Sequence, residues 1–566
     1  MQNYLREFDK RFDSKEAMLS EKCHSPGYHT MIPDGVIVHS TRENLQYAIC
    51  LLEAGGVKDF SRAEKVIRKI LSLQDTDPFS KTYGIWSWYF EEPLDKMNPP
   101  DWNWADFLGA RMAHIIRHYS GKLPADLVSQ VRESLGHAGW CIFRRNVHLG
   151  YSNIAIMGGG VAAAAGEILD EPRLLDFGRE RLRRVVELLS YNGTFSEYNS
   201  PTYTFVALEE AERILDLVED RETRKHAEDI RHAGWKVISD HFHPATQQWG
   251  GAQSRAYSNF IGPHLSKYLS EQTNTGIKVH PSLAKASPRL PSFIPELPCP
   301  VEFRKRFTGL PSSPLEFKTR FIRRDENKIS DANRKTRNAY GDRVGTTWMD
   351  DSASLGSINH EDTWTQRRFA FGHWKTESDP AVCLRVRFMH DGRDFCSGLV
   401  RNSQKGPRVL SAITMILNRG DFHPHFDHPK DDVFQAKDFR LRYELTGKGV
   451  EVEKIGRDRF VLSAGNCRAV IHAVPGKFGP NKIKWETGME KGRAFVDAVC
   501  HHGKRKGFNF GTMGTVELVS GLELIGETQK PVEGKINIKR VKKDIYSAEW
   551  AGLKLVVPAA ADNYPD

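Results

Sequence analysis

The sequence lacks several features that would each have pointed to a class of protein. Its eight cysteines include no CxxC pair and no regular spacing, which argues against a disulfide framework and favours reduced thiols. No apolar run approaches the roughly 20 residues that span a bilayer, so no membrane partner is expected. The net charge of +9 comes without a lysine and arginine block, so no nucleic-acid partner is expected. The charged first residues contain no apolar signal segment, and we therefore expect a cytoplasmic protein.

A helical pattern fills the first part of the chain. The length of 566 residues exceeds what one hydrophobic core serves, so at least two domains are expected. Ser40 and Glu43 predict one capped helix start, and Ser61 and Glu64 predict another. Apolar residues recur at three- and four-residue steps, which predicts helices at about 104–119, 124–145, 153–169, 173–190, 203–219 and 221–240. The short connectors between these helices predict antiparallel helical hairpins. Such hairpins are compatible with a toroid or with a solenoid.

The pattern changes to strands from about residue 300. Stretches such as "AVCLRVRFMH" and "DRFVLSAGNCRAVIHAV" alternate apolar and polar residues between turn residues, which predicts an antiparallel sandwich. The proline- and serine-rich residues 280–300 are typical of a linker. The sequence therefore predicts a helical domain at 1–279 and a β-sandwich domain at 301–566.

The stretch "NGTFSEYNSPTYTF", residues 192–205, is unusually polar for a connection between two helices. Ser200 and Pro201 are explained as the cap and first residue of the next helix. Helix capping does not explain Tyr198, Asn199 and Tyr203. The loop is therefore a candidate functional segment.

Two other helix junctions carry similar side chains. "NVHLGYSNIAIMGGG" offers His148 and Asn153 ahead of a glycine triplet, whose small residues predict close helix packing. "HFHPATQQWGGAQSRAYS" offers Trp249, Arg255 and Tyr257 in a segment rich in turn residues. Asparagine, tyrosine and arginine at successive junctions form a suggestive series.

The motifs "YSNIAIM", "GTFSEYNSPTYTF" and "SRAY" resemble those of the heparinase II/III-like polysaccharide lyases and their alginate-lyase relatives. The resemblance implies an α/α toroid, an incomplete barrel of helical hairpins, followed by an antiparallel β-sandwich. It also implies β-elimination on a uronic-acid-containing acidic oligo- or polysaccharide. The family asparagine is often followed by histidine or arginine, whereas Ile154 follows here, so the histidine must come from elsewhere.

The resemblance also implies roles for individual residues. Asn153 and Arg255 would stabilise the charge that develops on the uronate carboxylate. Tyr203 is the first choice for proton transfer and Tyr257 the second. The catalytic candidates, two of which are histidines, are Tyr203, Asn153, Arg255, Tyr257, His148 and His360.

Aromatic residues indicate a sugar-binding surface, and nearby carboxylates give an alternative chemistry. The substrate-binding candidates are Trp86, Trp88, Trp102, Trp104, Glu197, Tyr198, Asn199 and Trp249. An inverting glycoside hydrolase would need two separated carboxylates, and Asp101 or Asp106 with Glu197 could supply them. A non-catalytic carbohydrate-binding protein is the third possibility.

A histidine-rich segment, "DFHPHFDHPKDD", offers ligands for a structural divalent metal such as zinc or calcium. Its candidate ligands are His423, His425 and His428. The lyase chemistry itself requires no cofactor. The expected partner is the acidic saccharide, and a homo-oligomer is an open alternative.

Overall fold

The computed structural model describes residues 2–25, 27–284, 290–321 and 342–564. Contacts divide the chain into two compact units, each made of three segments. The helical unit comprises Met1–Ser190, Val206–Gly234 and Ala286–Leu297. The sandwich unit comprises Tyr191–Phe205, Trp235–Lys285 and Pro298–Asp566. Two loop-bearing segments that begin before residue 279 thus group with the sandwich, whereas the predicted domains were continuous.

The first half of the chain is predominantly helical, as predicted. Its helices, with one short helix after them, are α1 (Gln2–Asp9), α2 (Thr41–Ala54), α3 (Val57–Leu71), α4 (Asn103–Tyr119), α5 (Ala125–Arg145), α6 (Ser152–Leu169), α7 (Pro172–Asn192), α8 (Pro201–Leu217), α9 (Arg221–His241), α10 (Pro263–Thr273) and α11 (Val301–Arg304). Single 3-10 turns lie at Ser120–Lys122, Pro281–Leu283 and Lys305–Phe307. The apolar period therefore located α4 to α9 to within about two residues.

Capping residues fix several helix ends. The Ser40 hydroxyl accepts a hydrogen bond from the Glu43 N–H at 3.2 Å, and α2 ends at Gly55 in the left-handed conformation. The prediction that Ser61 starts a helix is wrong. α3 already begins at Val57, directly after its cap residue Gly56, so Ser61 lies inside the helix.

α6 packs unusually closely against its neighbours in the helical unit. A Cβ atom on Gly160 would lie 2.5 Å from the Ile214 side chain, and one on Gly158 would lie 2.5 Å from the Asp106 carboxylate. The packing explanation for the glycine triplet is therefore confirmed. α6 is also long and apolar enough to cross a membrane, yet 89% of it is buried, which is typical of a core helix.

Part of the predicted linker packs on the helical unit. The Gln46 side chain donates to the Pro291 carbonyl at 2.5 Å, and Arg231 donates to the Leu297 carbonyl at 2.9 Å. The Phe293 ring stacks on His114 at 6.4 Å. These contacts fix residues 290–297 in place.

Three short two-stranded ribbons accompany the helices and were not predicted. They are β1 (Phe12–Asp13) with β2 (Met18–Leu19), β3 (Glu21–Lys22) with β4 (Ile37–Val38), and β5 (Phe242–His243) with β6 (Gln248–Trp249). Two residues per strand give no alternation for a sequence pattern to reveal.

The remaining strands form two large antiparallel sheets and one small sheet. The first sheet contains β7 (Leu315–Phe321), β8 (Arg343–Met349), β9 (Ala353–Ile358), β11 (Ala370–Trp374), β12 (Val382–His390), β13 (Arg393–Asp394), β16 (Val433–Thr446), β22 (Lys484–Glu490) and β23 (Arg493–Asn509). The second contains β10 (His360–Asp362), β14 (Gly398–Lys405), β15 (Arg408–Met415), β17 (Glu451–Ile455), β18 (Arg459–Ala464), β19 (Cys467–Ala473), β20 (Lys477–Phe478), β21 (Asn481–Lys482) and β24 (Val516–Gly526). The small sheet contains β25 (Asn537–Lys542), β26 (Ile545–Trp550) and β27 (Leu553–Pro558).

The two large sheets share one hydrophobic core. Leu384 and Phe388 of β12 lie in the same buried cluster as Ile413 of β15 and Leu522 of β24. Alternate residues of the long strands face this core, which is the arrangement of a sandwich. The predicted fold class, a helical region followed by an antiparallel β-sandwich, is confirmed.

Candidate functional site

Three loops of the sandwich unit are joined by backbone hydrogen bonds around Arg255. The Ser254 N–H donates to the Tyr198 carbonyl at 3.1 Å, which joins the 192–200 loop to the 249–258 loop. The Ala256 N–H donates to the Gln366 carbonyl at 2.8 Å, which adds the 363–368 loop. Arg255 lies between these two hydrogen bonds, so its position is set from both sides.

Glycine permits the close approach of the 249–258 loop to strand β9. Gly251 has a φ of 86°, and a Cβ atom on Gly356 of β9 would lie only 2.4 Å from the Gly251 Cα. Asn199, itself in the left-handed region, donates to the carbonyls of Gly250 and Ala252 at 3.0 and 2.8 Å. The "WGG" of the sequence therefore shapes the loop that presents Arg255.

Arg255 is held by side chains on every edge of its guanidinium. Nη1 donates to Glu197 at 3.1 Å, Nε donates to Gln366 at 2.9 Å, and Nη2 donates to the Tyr257 hydroxyl at 3.1 Å. The planar group lies 4.4 Å from the centre of the Tyr203 ring. These contacts preorganise the guanidinium and direct one N–H at a tyrosine hydroxyl.

The hydroxyl groups of Tyr203 and Tyr257 form a hydrogen-bonded pair at 2.7 Å. Burial raises the pKa of Tyr203 above its ordinary value, and the opposing effect of the Arg255 charge is smaller. Tyr203 is therefore protonated at neutral pH. Tyr257 is 60% exposed, so the pair can be reached from solvent.

Trp364 links the arginine and tyrosine groups to a histidine. Arg255 and Arg367 each lie 5.4 Å from the centre of its ring, and His423 packs against it edge-on at 5.7 Å. Burial lowers the pKa of His423 to about 4, so the ring is neutral at pH 7. Its Nδ1 accepts the His425 N–H at 3.1 Å, which places the ring proton of that neutral form on Nε2.

A buried ionic network lies next to these loops in the sandwich unit. Glu361, which is fully buried, accepts a hydrogen bond from the Tyr198 hydroxyl at 2.9 Å and pairs with Arg343 at 3.1 Å. Asp362 pairs with Arg367 at 3.0 Å and with Arg419 at 3.8 Å. Arg367 also lies 3.7 Å from Glu361, so each of the two buried carboxylates contacts two arginines.

Three of the predicted substrate-binding residues are instead buried supports of the loops. Tyr198, Asn199 and Trp249 are at most 2% exposed. The Trp249 indole N–H donates to the Asn199 side chain, and Tyr198 donates to Glu361. Their polar atoms are used within the unit, so they hold the loops and do not face a ligand. Glu197 positions Arg255.

The predicted asparagine and histidine of the helical unit lie around the start of α6. Asn153 is 4% exposed, and its side-chain oxygen accepts no hydrogen bond within the described structure. His148 is exposed and stacks on Tyr151 at 6.3 Å. The buried Arg181 donates to Asn146 at 2.8 Å and to the Ala155 carbonyl at 3.1 Å, which fixes this loop.

The predicted tryptophan wall is largely part of the helical core. Trp86 is fully buried and donates to the Ile70 carbonyl at 2.9 Å. Trp104 stacks on Trp88 at 5.1 Å and is 8% exposed. Trp88 and Trp102 are half-buried, so a sugar-stacking role is compatible with these two alone among the four.

The carboxylates of the hydrolase alternative are buried or paired. Asp101 is 7% exposed and accepts hydrogen bonds from the Asn103 N–H at 3.0 Å and the Trp88 indole at 3.1 Å. Asp106 is 2% exposed, and burial raises its pKa to about 7. Glu197 pairs with Arg255 at 3.1 Å. Each of the three carboxylates is therefore either buried or paired with an arginine.

The other predicted histidines lie in the sandwich unit. His360 is buried in β10, where burial and the Arg343 charge lower its pKa to about 4. His423 and His425 have ring centres 6.0 Å apart, whereas both ring nitrogens of His428 lie within 2.9 Å of backbone carbonyls. A metal held by these three histidines stays a prediction.

Trp364, Gln366 and His423 were missed as members of this site. Trp364 and Gln366 belong to "INHEDTWTQRR", in which only the histidine drew attention as a catalytic candidate. His423 was assigned to a metal site. Only the folded sandwich shows that these residues adjoin Arg255, because over one hundred residues separate them along the chain.

Comparisons with known proteins concern mainly the fold. A family model described as "Domain of unknown function (DUF8769)" matches residues 5–272. No curated protein matches the sequence significantly. A crystal structure of heparinase III shares 10% identity with a TM-score of 0.40, and the match covers 92% of this chain and 82% of that one. The chondroitin AC lyase of Streptomyces coelicolor, solved with chondroitin sulphate, shares 9% identity with a TM-score of 0.31, covering 92% and 95%.

Proposed function

We propose that the protein is a lyase that cleaves a uronate-containing acidic oligosaccharide by β-elimination. The observation that carries this proposal is the placement of Arg255 against the hydroxyl pair of Tyr203 and Tyr257. It combines a fixed positive charge with a proton donor that solvent can reach.

The reaction requires one proton to leave C5 of the uronate and one to reach the departing oxygen at C4. The electron pair of the C5–H bond forms the C4–C5 double bond as the C4–oxygen bond breaks. In the first transfer the C5 proton passes to the Tyr257 oxygen, which accepts a hydrogen bond from Arg255. Tyr203 suits the second transfer because it is protonated at neutral pH. The hydrogen bond to Tyr257 offers a path by which the donated proton is replaced.

Negative charge builds on the uronate carboxylate in the transition state, and fixed donors stabilise it. Arg255 supplies charge, but its N–H groups already contact Glu197, Gln366 and Tyr257, so it acts through orientation and field. Neutral His423 offers an Nε2 proton beside Trp364 and suits the role of a further donor.

The direct test is to follow ultraviolet absorbance of the unsaturated product while uronate oligosaccharides are incubated with the protein. We expect absorbance to rise with one substrate class and to stay flat with its carboxyl-reduced form. Reducing sugar released without the absorbance would instead show hydrolysis. Binding without either product would show a carbohydrate-binding protein and would contradict the proposed reaction.

A further inference from the structure

A second cluster of chemically active side chains lies in the helical unit and plays no part in the proposed reaction. His114 and His118 are four residues apart on α4, in "HIIRH", so both face the same side of the helix. Asp216, near the end of α8, faces them. Each of the three residues has one ligand-type atom within 4.8 Å of the corresponding atoms of the other two.

We propose that His114, His118 and Asp216 bind a divalent transition metal of the zinc type. The His118 Nε2 lies 2.9 Å from the Asp216 carboxylate, and the His114 Nδ1 lies 3.8 Å from the same oxygen. Ligand atoms of a tetrahedral zinc ion with bonds of about 2.05 Å are separated by about 3.3 Å. The two observed distances bracket that value, so small side-chain movements would complete the geometry.

The burial of His114 restricts how this residue can bind. Its side chain is 5% exposed, and the ring nitrogen paired with Asp216, at 3.8 Å, is Nδ1. Nδ1 is therefore the proposed ligand atom, and because burial already restricts the ring, little side-chain entropy is lost when a metal binds.

The surroundings are compatible with a bound cation. Arg111 and Arg213 both contribute positive charge near His114, but Arg213 is paired with Glu210 at 3.1 Å. Asp216 adds a negative charge directly at the site. His118 is 38% exposed, which gives the ion an entry path and leaves room for water as a further ligand.

The ligand set selects the class of metal. Two imidazoles and one carboxylate suit zinc and similar first-row ions, whereas calcium and magnesium require mainly oxygen ligands. Because α4 and α8 each supply ligands, the ion would cross-link two helices of the unit. This proposal does not depend on the proposed reaction.

The test uses the full-length protein after treatment with a chelator. We expect calorimetry to show one equivalent of Zn²⁺ bound, Co²⁺ to give a tetrahedral visible spectrum, and Zn²⁺ to raise the melting temperature. His118→Ala and Asp216→Asn should each weaken Zn²⁺ binding by more than the about 10–100-fold typical of outer-shell partners. Both replaced side chains are partly exposed, and circular dichroism checks that the variants remain folded.

Two control variants make the result specific. His24→Ala removes an exposed histidine that pairs with Asp34, and His423→Ala removes the histidine-rich loop as a site. We expect both to bind Zn²⁺ like the unchanged protein. Absence of binding, equal binding by His118→Ala, or loss of binding in His423→Ala alone would each overturn the assignment to His114, His118 and Asp216.

Discussion

The hydroxyl oxygens of Tyr203 and Tyr257 lie 2.7 Å apart, and Arg255 donates to the second while its plane covers the ring of the first. One guanidinium thereby fixes both tyrosines. Such an arrangement favours proton transfer, because the donor is oriented before substrate arrives and its replacement proton is one hydrogen bond away.

Removing the Tyr203 hydroxyl should abolish most of the activity without unfolding the protein. We expect Tyr203→Phe to bind substrate normally and to lower turnover by about 100-fold or more, as loss of a catalytic acid does. Tyr4→Phe, which makes the same chemical change in helix α1, is the matched control. Product absorbance measures turnover, and a Tyr203→Phe variant within a few-fold of the unchanged protein would remove Tyr203 from the mechanism.

The charge of the substrate should matter more than its size. Free uronate oligosaccharides should react far faster than esterified or carboxyl-reduced ones, because charge grows on the carboxylate in the transition state. Arg255→Ala should lower turnover on the free acid and narrow the preference for it over the neutral forms. Arg457→Ala, which removes an exposed positive charge, controls for net charge at fixed ionic strength. Equal rates on acidic and neutral substrates would contradict the lyase proposal.

The contacts of Arg255 also predict that a lysine at this position cannot restore turnover. Arg255→Lys keeps the charge but cannot contact Glu197, Gln366 and Tyr257 at once. We therefore expect a loss of turnover close to that of Arg255→Ala. Comparing the two variants on one substrate decides the point, since recovery of activity by lysine would show that charge alone suffices.

The buried network of the sandwich should be sensitive to loss of one carboxylate charge. Glu361→Gln would leave Arg343 and Arg367 less compensated in a fully buried site. We expect the free energy of unfolding to fall by about 3 kcal/mol or more. Glu451→Gln on the exposed edge of β17 should change it by less than about 0.5 kcal/mol. Urea denaturation measures both, and equal effects would show that the network is not under this electrostatic constraint.

Acid should destabilise the protein partly through a buried histidine. Burial lowers the pKa of His373 to about 3, below the about 6.5 of an unfolded histidine. As the pH falls, His373 therefore binds a proton in the unfolded chain before it does so in the folded protein. Stability from this group is complete above about pH 6.5 and is lost as pH falls, by about 1.4 kcal/mol for each pH unit.

His373→Gln should therefore show a shallower loss of stability between about pH 6.5 and 4 than the unchanged protein. His24→Gln, at an exposed histidine, should leave the slope unchanged. Denaturation midpoints across this range give the comparison. An identical slope in His373→Gln would exclude this residue as a source of the acid sensitivity.

Local patterns in the sequence were sufficient to predict the helices and strands and part of the candidate site. The apolar period placed α4 to α9, and alternation placed strands such as β12. The segments around Tyr203 and Arg255 stood out because polar and aromatic side chains exceeded what capping requires. Such signals are local, so they can be recognised in the sequence without knowledge of the fold.

The rest of the site depends on long-range contacts that no local pattern encodes. Tyr198 and Trp249 looked like ligand contacts because they are aromatic, yet burial makes them supports. Trp364 lies beside Arg255, and His423 packs against Trp364, only because the sandwich brings these distant residues together. The Tyr203 pKa is likewise a property of burial, which outweighs the adjacent charge.

The way the chain alternates between its two units has a further consequence for its cohesion. Three segments belong to each unit, so the backbone passes from one to the other five times along its length. No single peptide-bond cleavage can separate the two units, because a cut at any of the five junctions divides at least one of them. Evolution by exchange of one whole half of the chain is impeded for the same reason.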